Sequence, residues 1–292
     1  MRDAWLVLIL ALGLMSCDPG VEVQNVLVDK LLSVSAVVSP RDSSLKVYVF
    51  RASGLSKRIP YDMLIEKNAR VTISDGTREA LLSYYADTER YECVNPFHDL
   101  EAGSSLTLTV QTQDGVTATG HSVIPPKPQL VSFTHHHRND FLVYELVWNN
   151  PEAHKYFQAW QSMEFATNYY PGEIRYLKNS NAIMVEPEVF LWDRQPGGIN
   201  IIRDSVQTNP GRVGPAKASF TLANFEESLW KYIRTSSQYD TWLTNAEESG
   251  ILPVFKEPVD VSNNIKGGFG IFASYNCTDS LIVKIDAEPV AK

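Results

Sequence analysis

The sequence predicts a mainly β protein, and two observations lead to that prediction. Apolar and polar residues alternate over residues 45–49, 71–73 and 106–110, which is the pattern of strands with one buried face. Asp75-Gly76 and Asp114-Gly115 lie beside these segments, where such dipeptides are typical of hairpin turns. Short strands at this spacing predict an antiparallel β-sandwich of the immunoglobulin or transthyretin type.

A proline-rich segment follows the predicted sandwich. Pro125-Pro126-Lys127-Pro128 favours a stiff, extended backbone that cannot continue a central strand. We therefore predict a sandwich domain over residues 17–124 and a linker over residues 125–139. A second β-rich domain, with one or two helices, is predicted over residues 140–292.

The second domain has less regular strand patterns. Apolar-rich segments at residues 141–148, 156–165 and 183–192 are the first strand candidates, and Pro187 interrupts the third. Two further strands, at residues 269–275 and 281–285, lie near the end of the chain. Because a short polar segment joins them, we expect the chain to close on a hairpin.

One helix is predicted near residues 224–248. Asn224 is the predicted N-cap, and the negative charges of Glu226 and Glu227 suit a first helical turn. One face at helical spacing collects the apolar residues Phe225, Leu229, Tyr232 and Ile233. A second short helical segment is expected over residues 239–248. The paired acids Glu226 and Glu227 are expected on solvated helix surface, where they would serve solubility.

The N-terminus predicts export and lipid attachment. Residues 4–15 form an apolar run shorter than the roughly 20 residues that span a bilayer, as in a secretory signal. Leu14-Met15-Ser16-Cys17 resembles the lipobox of bacterial lipoproteins, in which the cysteine is acylated and becomes the first residue. We predict a signal peptide over residues 1–16 and a diacyl or triacyl anchor, with fatty acids such as palmitate, on Cys17. An ordinary signal followed by a chance cysteine is the alternative.

Charge and motifs exclude several classes of function. The formal net charge is −8 and the sequence has no basic run, which makes nucleic acid a poor partner. The chain has no Gly-x-Ser-x-Gly elbow, no His-Glu-x-x-His helix and no phosphate-binding loop. We therefore predict a protein without catalytic residues and without a cofactor.

Histidine and cysteine residues suggest a metal site or a disulfide. His135-His136-His137 could suggest zinc, but adjacent residues of a strand face alternate sides and cannot all reach one ion. Asp140, Glu145 and His154 add no motif spacing, so a solvated loop and no metal site are predicted. The second question is whether Cys93 and Cys277 form a disulfide, and the sequence leaves it open.

Four aromatic residues near turn signals are the predicted ligand or partner contacts. They are Trp160, Tyr169, Tyr170 and Trp192. Large amphipathic rings of this kind stack on sugars or on partner loops. Packing into the core is the alternative for each of them.

Three segments resemble a known family. They are Val71-Thr-Ile-Ser-Asp-Gly76, the strand pattern with Leu106, Leu108 and Val110, and Ser262-Asn-Asn-Ile-Lys-Gly-Gly-Phe-Gly-Ile-Phe272. Together with the lipobox they resemble the domain of unknown function 4249 family of Bacteroidota lipoproteins. The third segment is the most specific. Leu106 departs from the family pattern, in which an aromatic residue stands at this position.

The resemblance implies a cell-envelope lipoprotein, anchored by lipid at the outer membrane, that works beside a TonB-dependent transporter. The expected role is a non-catalytic binding or accessory module. A structural or assembly lipoprotein without a small-molecule ligand is the alternative, and an envelope hydrolase is a weaker one. The family provides no binding residue to carry over, so the glycines of residues 267–270 are interpreted physically. They predict a bulge or tight strand crossing rather than a ligand site.

Overall fold

The computed structural model describes residues 31–52, 61–138, 141–149, 156–170, 173–185, 199–207, 216–248 and 260–285. Strands dominate these residues, so the predicted mainly β fold class is confirmed. None of the helices in the described part is both long and apolar enough to cross a membrane.

Seven strands and one short helix make up the first part of the chain. They are β1 (Leu32–Val38), β2 (Ser44–Arg51), α1 (Tyr61–Leu64), β3 (Arg70–Ser74), β4 (Glu79–Tyr85), β5 (Arg90–Val94), β6 (Ser105–Gln111) and β7 (Thr117–Val123). The two predicted hairpins are confirmed, because β3 pairs with β4 and β6 pairs with β7, both antiparallel. Gly76 and Gly115 have φ of 89° and 86°, a conformation that glycine adopts without steric cost.

Nine strands and one long helix follow. They are β8 (Gln129–Arg138), β9 (Phe141–Asn149), β10 (Phe157–Tyr170), β11 (Glu173–Val185), β12 (Ile199–Gln207), β13 (Ala216–Phe225), α2 (Glu227–Glu248), β14 (Ile265–Lys266), β15 (Gly268–Cys277) and β16 (Leu281–Ile285). The pattern predicted at residues 183–192 overlaps only the end of β11, and residues 186–198 lie outside the described part.

One large sheet contains thirteen of these strands. Its order is β11-β10-β13-β15-β1-β2-β5-β4-β3-β6-β7-β14, with β16 paired to β13. The sheet curls, because β14 at one end continues through Gly267 into β15, which pairs in parallel with β1 in the middle of the order. A second sheet has the order β12-β9-β8.

The predicted closing hairpin is wrong. Strand β15 pairs with β1 through Leu32–Val38 and with the end of β13, whereas β16 pairs with the beginning of β13. The two final strands therefore share a neighbour and do not pair with each other. They lie apart because β13 is ten residues long and its two ends pair with different strands.

The late strands complete the core of the first part of the chain. Ile265 and Phe272 are buried in the same apolar cluster as residues of β1, β2, β3 and β6. Sequence position alone assigned these two residues to the second domain. The boundaries at residues 124 and 139 remain predictions, but the first apolar core is built from both ends of the chain.

The glycines of residues 267–270 allow β15 to approach its neighbours closely. A Cβ atom on Gly268 would lie 2.3 Å from the carbonyl oxygen of Leu32, and one on Gly270 would lie 2.0 Å from that of Val34. Gly267 and Gly270 also have positive φ, of 78° and 113°. The predicted tight strand crossing is therefore confirmed, since the protein's own backbone occupies the space beside the glycines.

The expectation that the three histidines lie in a loop is corrected. Residues 129–138 form β8, paired along its length with β9, so His135, His136 and His137 lie in a strand and not in a loop. Pro125 and Pro126 are held in place, since the side-chain amides of Asn276 and Asn224 donate to their carbonyl oxygens at 3.2 and 3.0 Å. Most side chains of β8 are exposed, so its sequence lacks the apolar alternation that is typical of a strand with one buried face.

The helix is confirmed but begins later than predicted, at Glu227. Asn224 lies in β13, because that strand continues to Phe225 to pair with β15. Glu226 precedes the helix, and its carbonyl oxygen accepts from the backbone N–H of Trp230. A single helix covers both predicted helical segments. The apolar face packs as expected, with Leu229 buried and Tyr232 and Ile233 partly buried against the same cluster.

Candidate functional site

The hairpin of β10 and β11 extends beyond the rest of the large sheet. Strand β10 pairs with β13 only from Phe157 to Glu164, whereas its pairing with β11 continues to Tyr170. Residues 165–170 and 173–177 therefore form a two-stranded ribbon, which we call the β10–β11 ribbon. Six residues of strand correspond to about 20 Å. Within the described residues, no third strand pairs with this ribbon.

The tip of the ribbon contains two of the predicted contact residues, Tyr169 and Tyr170. Tyr170 pairs with Glu173, and the register shifts between Asn168 and Tyr170, which leaves Tyr169 at an irregularity of the strand. Such bulges occur often at the rims of sheets and beside functional sites. The ribbon is rich in aromatic residues, since it also includes Phe165 and Tyr176.

The base of the hairpin rests on an aromatic cluster that includes Trp160, Phe225 and Tyr275. The Trp160 ring lies 5.3 Å from that of Tyr275, edge to face, and 6.0 Å from that of Phe225. Its indole N–H donates to the side-chain oxygen of Gln158 at 2.9 Å. Trp160 is half-buried by these contacts. These contacts anchor the hairpin to the large sheet, and the role of Trp160 as a ligand or partner contact stays a prediction.

A partly buried polar pair lies next to this cluster. The hydroxyl of Tyr275 donates to the Asp42 carboxylate at 2.9 Å. Burial raises the pKa of Tyr275, and the neighbouring negative charge of Asp42 raises it further. Burial also raises the pKa of Asp42, although the hydrogen bond from Tyr275 opposes that change. The pair fixes the ring of Tyr275 against Trp160.

Other predicted site residues lie apart from the ribbon or outside the described part. Cys17 and Trp192 belong to the residues that are not described. Cys93 and Cys277 are free thiols, one packed against the first core and the other in the cluster of Phe225. Burial raises the pKa of both thiols, which lowers their reactivity.

Sequence reasoning missed the role of Glu226. Its carboxylate accepts from the hydroxyl of Ser122 on β7 at 2.5 Å and from the backbone N–H of Ser274 on β15 at 3.1 Å. The adjacent Glu227 is exposed and pairs with Lys231 at 2.7 Å. Only the second acid is therefore on solvated helix surface as expected. No local pattern distinguishes the two, because the partners of Glu226 come from distant strands.

Comparisons with known proteins give one family match. The model of the family described as Domain of unknown function (DUF4249) matches residues 18–280. Among curated proteins nothing matches the chain.

The comparison with solved structures gives matches of low sequence identity, as two of them illustrate. A two fibronectin type III domain segment from chicken tenascin has 11% identity and a TM-score of 0.20, and the match covers 65% of this chain and 89% of that chain. A cytokine receptor complex has 11% identity and a TM-score of 0.22, with the same two coverages.

Proposed function

The chain belongs to the family described as Domain of unknown function (DUF4249), and we propose that it is a lipid-anchored envelope protein of Bacteroidota. In this proposal it acts without catalysis, as a binding or accessory module beside a TonB-dependent outer-membrane transporter. Cys17 carries the lipid, and no cofactor takes part.

The observation that carries this proposal is the β10–β11 ribbon. Two-stranded ribbons are at best marginally stable alone, and unpaired strand edges are templates for pairing with another chain. Aromatic residues at such a tip provide large contact area at a small cost in conformational entropy. A ribbon with Tyr169 and Tyr170 at its tip therefore suits a protein partner better than a small-molecule ligand, which requires a concave site.

Chemical crosslinking in cells, followed by pull-down of the lipoprotein, tests the partner. Replacing both Tyr169 and Tyr170 with Ser should reduce recovery of the transporter, because the contact area at the ribbon tip is lost. Tyr85→Ser is the matched control, since Tyr85 is 53% exposed on β4, away from the ribbon. The control should recover as much transporter as the unchanged protein.

Two results would contradict the accessory role. Recovery of only assembly machinery would favour the structural or assembly lipoprotein. Hydrolysis of an envelope glycan or peptide by the purified protein, lost on replacing one acidic residue, would favour a hydrolase.

The lipid anchor has a separate test. Cys17→Ala should abolish incorporation of a clickable fatty acid and leave an unprocessed or soluble protein, because acylation requires the thiol. Fatty-acid labelling that persists in Cys17→Ala would contradict the assignment of Cys17.

A further inference from the structure

Two of the three consecutive histidines lie on one face of β8. The register of β8 and β9 is regular from Ser132 to Arg138, with His135 opposite Tyr144 and His137 opposite Leu142. Side chains two residues apart on a strand share a face. His136 belongs to the other face, together with its partner Val143.

The strand holds the two imidazoles at the rim of a rigid core. Tyr144 and Leu142, the partners of His135 and His137, are fully buried, whereas both histidines are exposed. The ring of Phe133 lies 5.6 Å from that of His135 and also packs on Phe220 at 5.2 Å. The backbone beneath the pair is therefore well supported, while the imidazoles remain accessible to solvent.

We propose that His135 and His137 together bind one divalent transition-metal ion. Two residues of strand separate their Cα atoms by about 6.7 Å. Imidazoles that turn toward each other across that interval can both reach an ion at nitrogen–metal distances of about 2.0–2.1 Å. Imidazole ligands suit copper, nickel and zinc, and affinity in such sites generally increases from nickel to copper.

The site consists of two protein ligands, with water in the other positions. Among the described residues, no group of three or more His, Cys, Asp or Glu side chains could hold an ion. Glu145 pairs with Thr134, so it lies on the face of His136 and not on that of the proposed site. The ion is therefore held weakly and exchanges readily, in contrast to a closed structural zinc site.

Calorimetric titration with Cu²⁺ tests the proposal, with a mature chain that carries no histidine tag. We expect one ion per chain. His135→Ala and His137→Ala should each weaken binding at least about tenfold, the smallest loss caused by removing even an outer partner of a metal ligand. His136→Ala is the matched control and should leave the affinity unchanged, because its side chain faces away from the ion.

A spectroscopic measurement tests the same distinction between the histidines. Electron spin-echo spectroscopy of the Cu²⁺ complex should detect two coordinated imidazoles, and only one after His137→Ala. Equal losses in all three variants would overturn the proposal, as would loss of binding in His136→Ala alone. Absence of binding at about 1 mM Cu²⁺ would also overturn it, because even a site with a Kd of about 1 mM would be half occupied at that concentration.

Discussion

Glu226 links three elements through one side chain and one peptide group. Its carboxylate accepts hydrogen bonds from β7 and β15, and its own backbone N–H donates to the carbonyl oxygen of Ser274 at 3.1 Å. It also lies directly before α2, where negative charge is favoured by the helix dipole. A carboxylate is thus better suited than an amide to this position.

Glu226→Gln should lower the free energy of unfolding by about 1–3 kcal/mol, since the hydrogen bonds lose their charge and one buried partner is left poorly matched. Glu227→Gln is the matched control. Its exposed ion pair with Lys231 should contribute less than about 1 kcal/mol. Urea denaturation measures both, and equal losses would contradict the role assigned to Glu226.

Asp75 holds the turn between β3 and β4. Its carboxylate accepts from the backbone N–H groups of Arg78 at 2.6 Å and of Thr77 at 2.8 Å, and from the Arg78 guanidinium at 2.8 Å. The hydrogen bond from the Arg78 backbone, followed by those from Thr77 and the Arg78 side chain, holds the pKa of Asp75 well below its ordinary value of 3.8.

The stability that this turn contributes should depend on pH. Because the pKa of Asp75 is lower in the folded chain, the unfolded chain takes up this proton first as the pH falls. The contribution is therefore complete above about pH 5 and is lost progressively below it. Asp75→Asn should be less stable than the unchanged protein at pH 6, and the difference should shrink toward pH 2. Thermal unfolding across this range measures it, and a constant difference would contradict the prediction.

At the scale of elements, β15 depends on glycine for its place beside β1. Its first residue, Gly268, pairs with Leu32 and lies too close to that strand to accept a Cβ atom. The neighbouring Phe269 is 48% exposed on the same strand. Both positions lie in β15, but only at Gly268 would a new side chain meet the backbone of β1.

Gly268→Val should lower the free energy of unfolding by about 1–3 kcal/mol or more, or prevent export, because the new side chain meets the Leu32 carbonyl group. Phe269→Val is the matched control and should stay within about 1 kcal/mol, since valine suits an exposed strand position. The melting temperature of each variant is measured, together with growth of the same strain on the nutrient that the proposed partner transporter takes up. A fully stable Gly268→Val protein that fails in uptake would favour a ligand site at the glycines.

Strand β8 shows why one element was missed from the sequence. Leu130 and Phe133 are its partly buried apolar residues, and the bulge between Leu130 and Ser132 shifts their spacing from two residues to three. From Thr134 to Arg138 every side chain is exposed. Without alternation the segment has no local strand signal, and pairing with β9 supplies the conformation instead.

At the scale of the whole molecule, the first core requires strands from both ends of the chain. Strand β1 pairs with β15 over seven residues, and Phe272 is fully buried in the first core. Removing a buried Phe side chain alone costs about 3–5 kcal/mol. Residues 17–128 therefore lack part of their core when separated from the rest.

Residues 17–128 expressed alone should not unfold cooperatively, because β14 and β15 are absent. The same fragment joined by a flexible linker to residues 262–280 should regain a cooperative thermal transition, since this addition restores Ile265 and Phe272. Circular dichroism and amide hydrogen exchange of β1 measure the difference. A fragment of residues 17–128 as stable as the joined one would establish an independent N-terminal domain.

Features that depend on neighbouring residues were predictable from the sequence. The alternation of β6, the turns at Asp75-Gly76 and Asp114-Gly115 and the apolar face with Leu229 were predictable, because each is decided within a few residues. The turn signal Pro171-Gly172 in the sequence also made Tyr169 and Tyr170 predictable as candidate contacts. The pairing of β15 with β1, the packing of Trp160 on Tyr275 and the hydrogen bonds of Glu226 to two strands became visible in the folded structure alone. These contacts join residues far apart in the chain, and which strand edges meet depends on how the whole core closes.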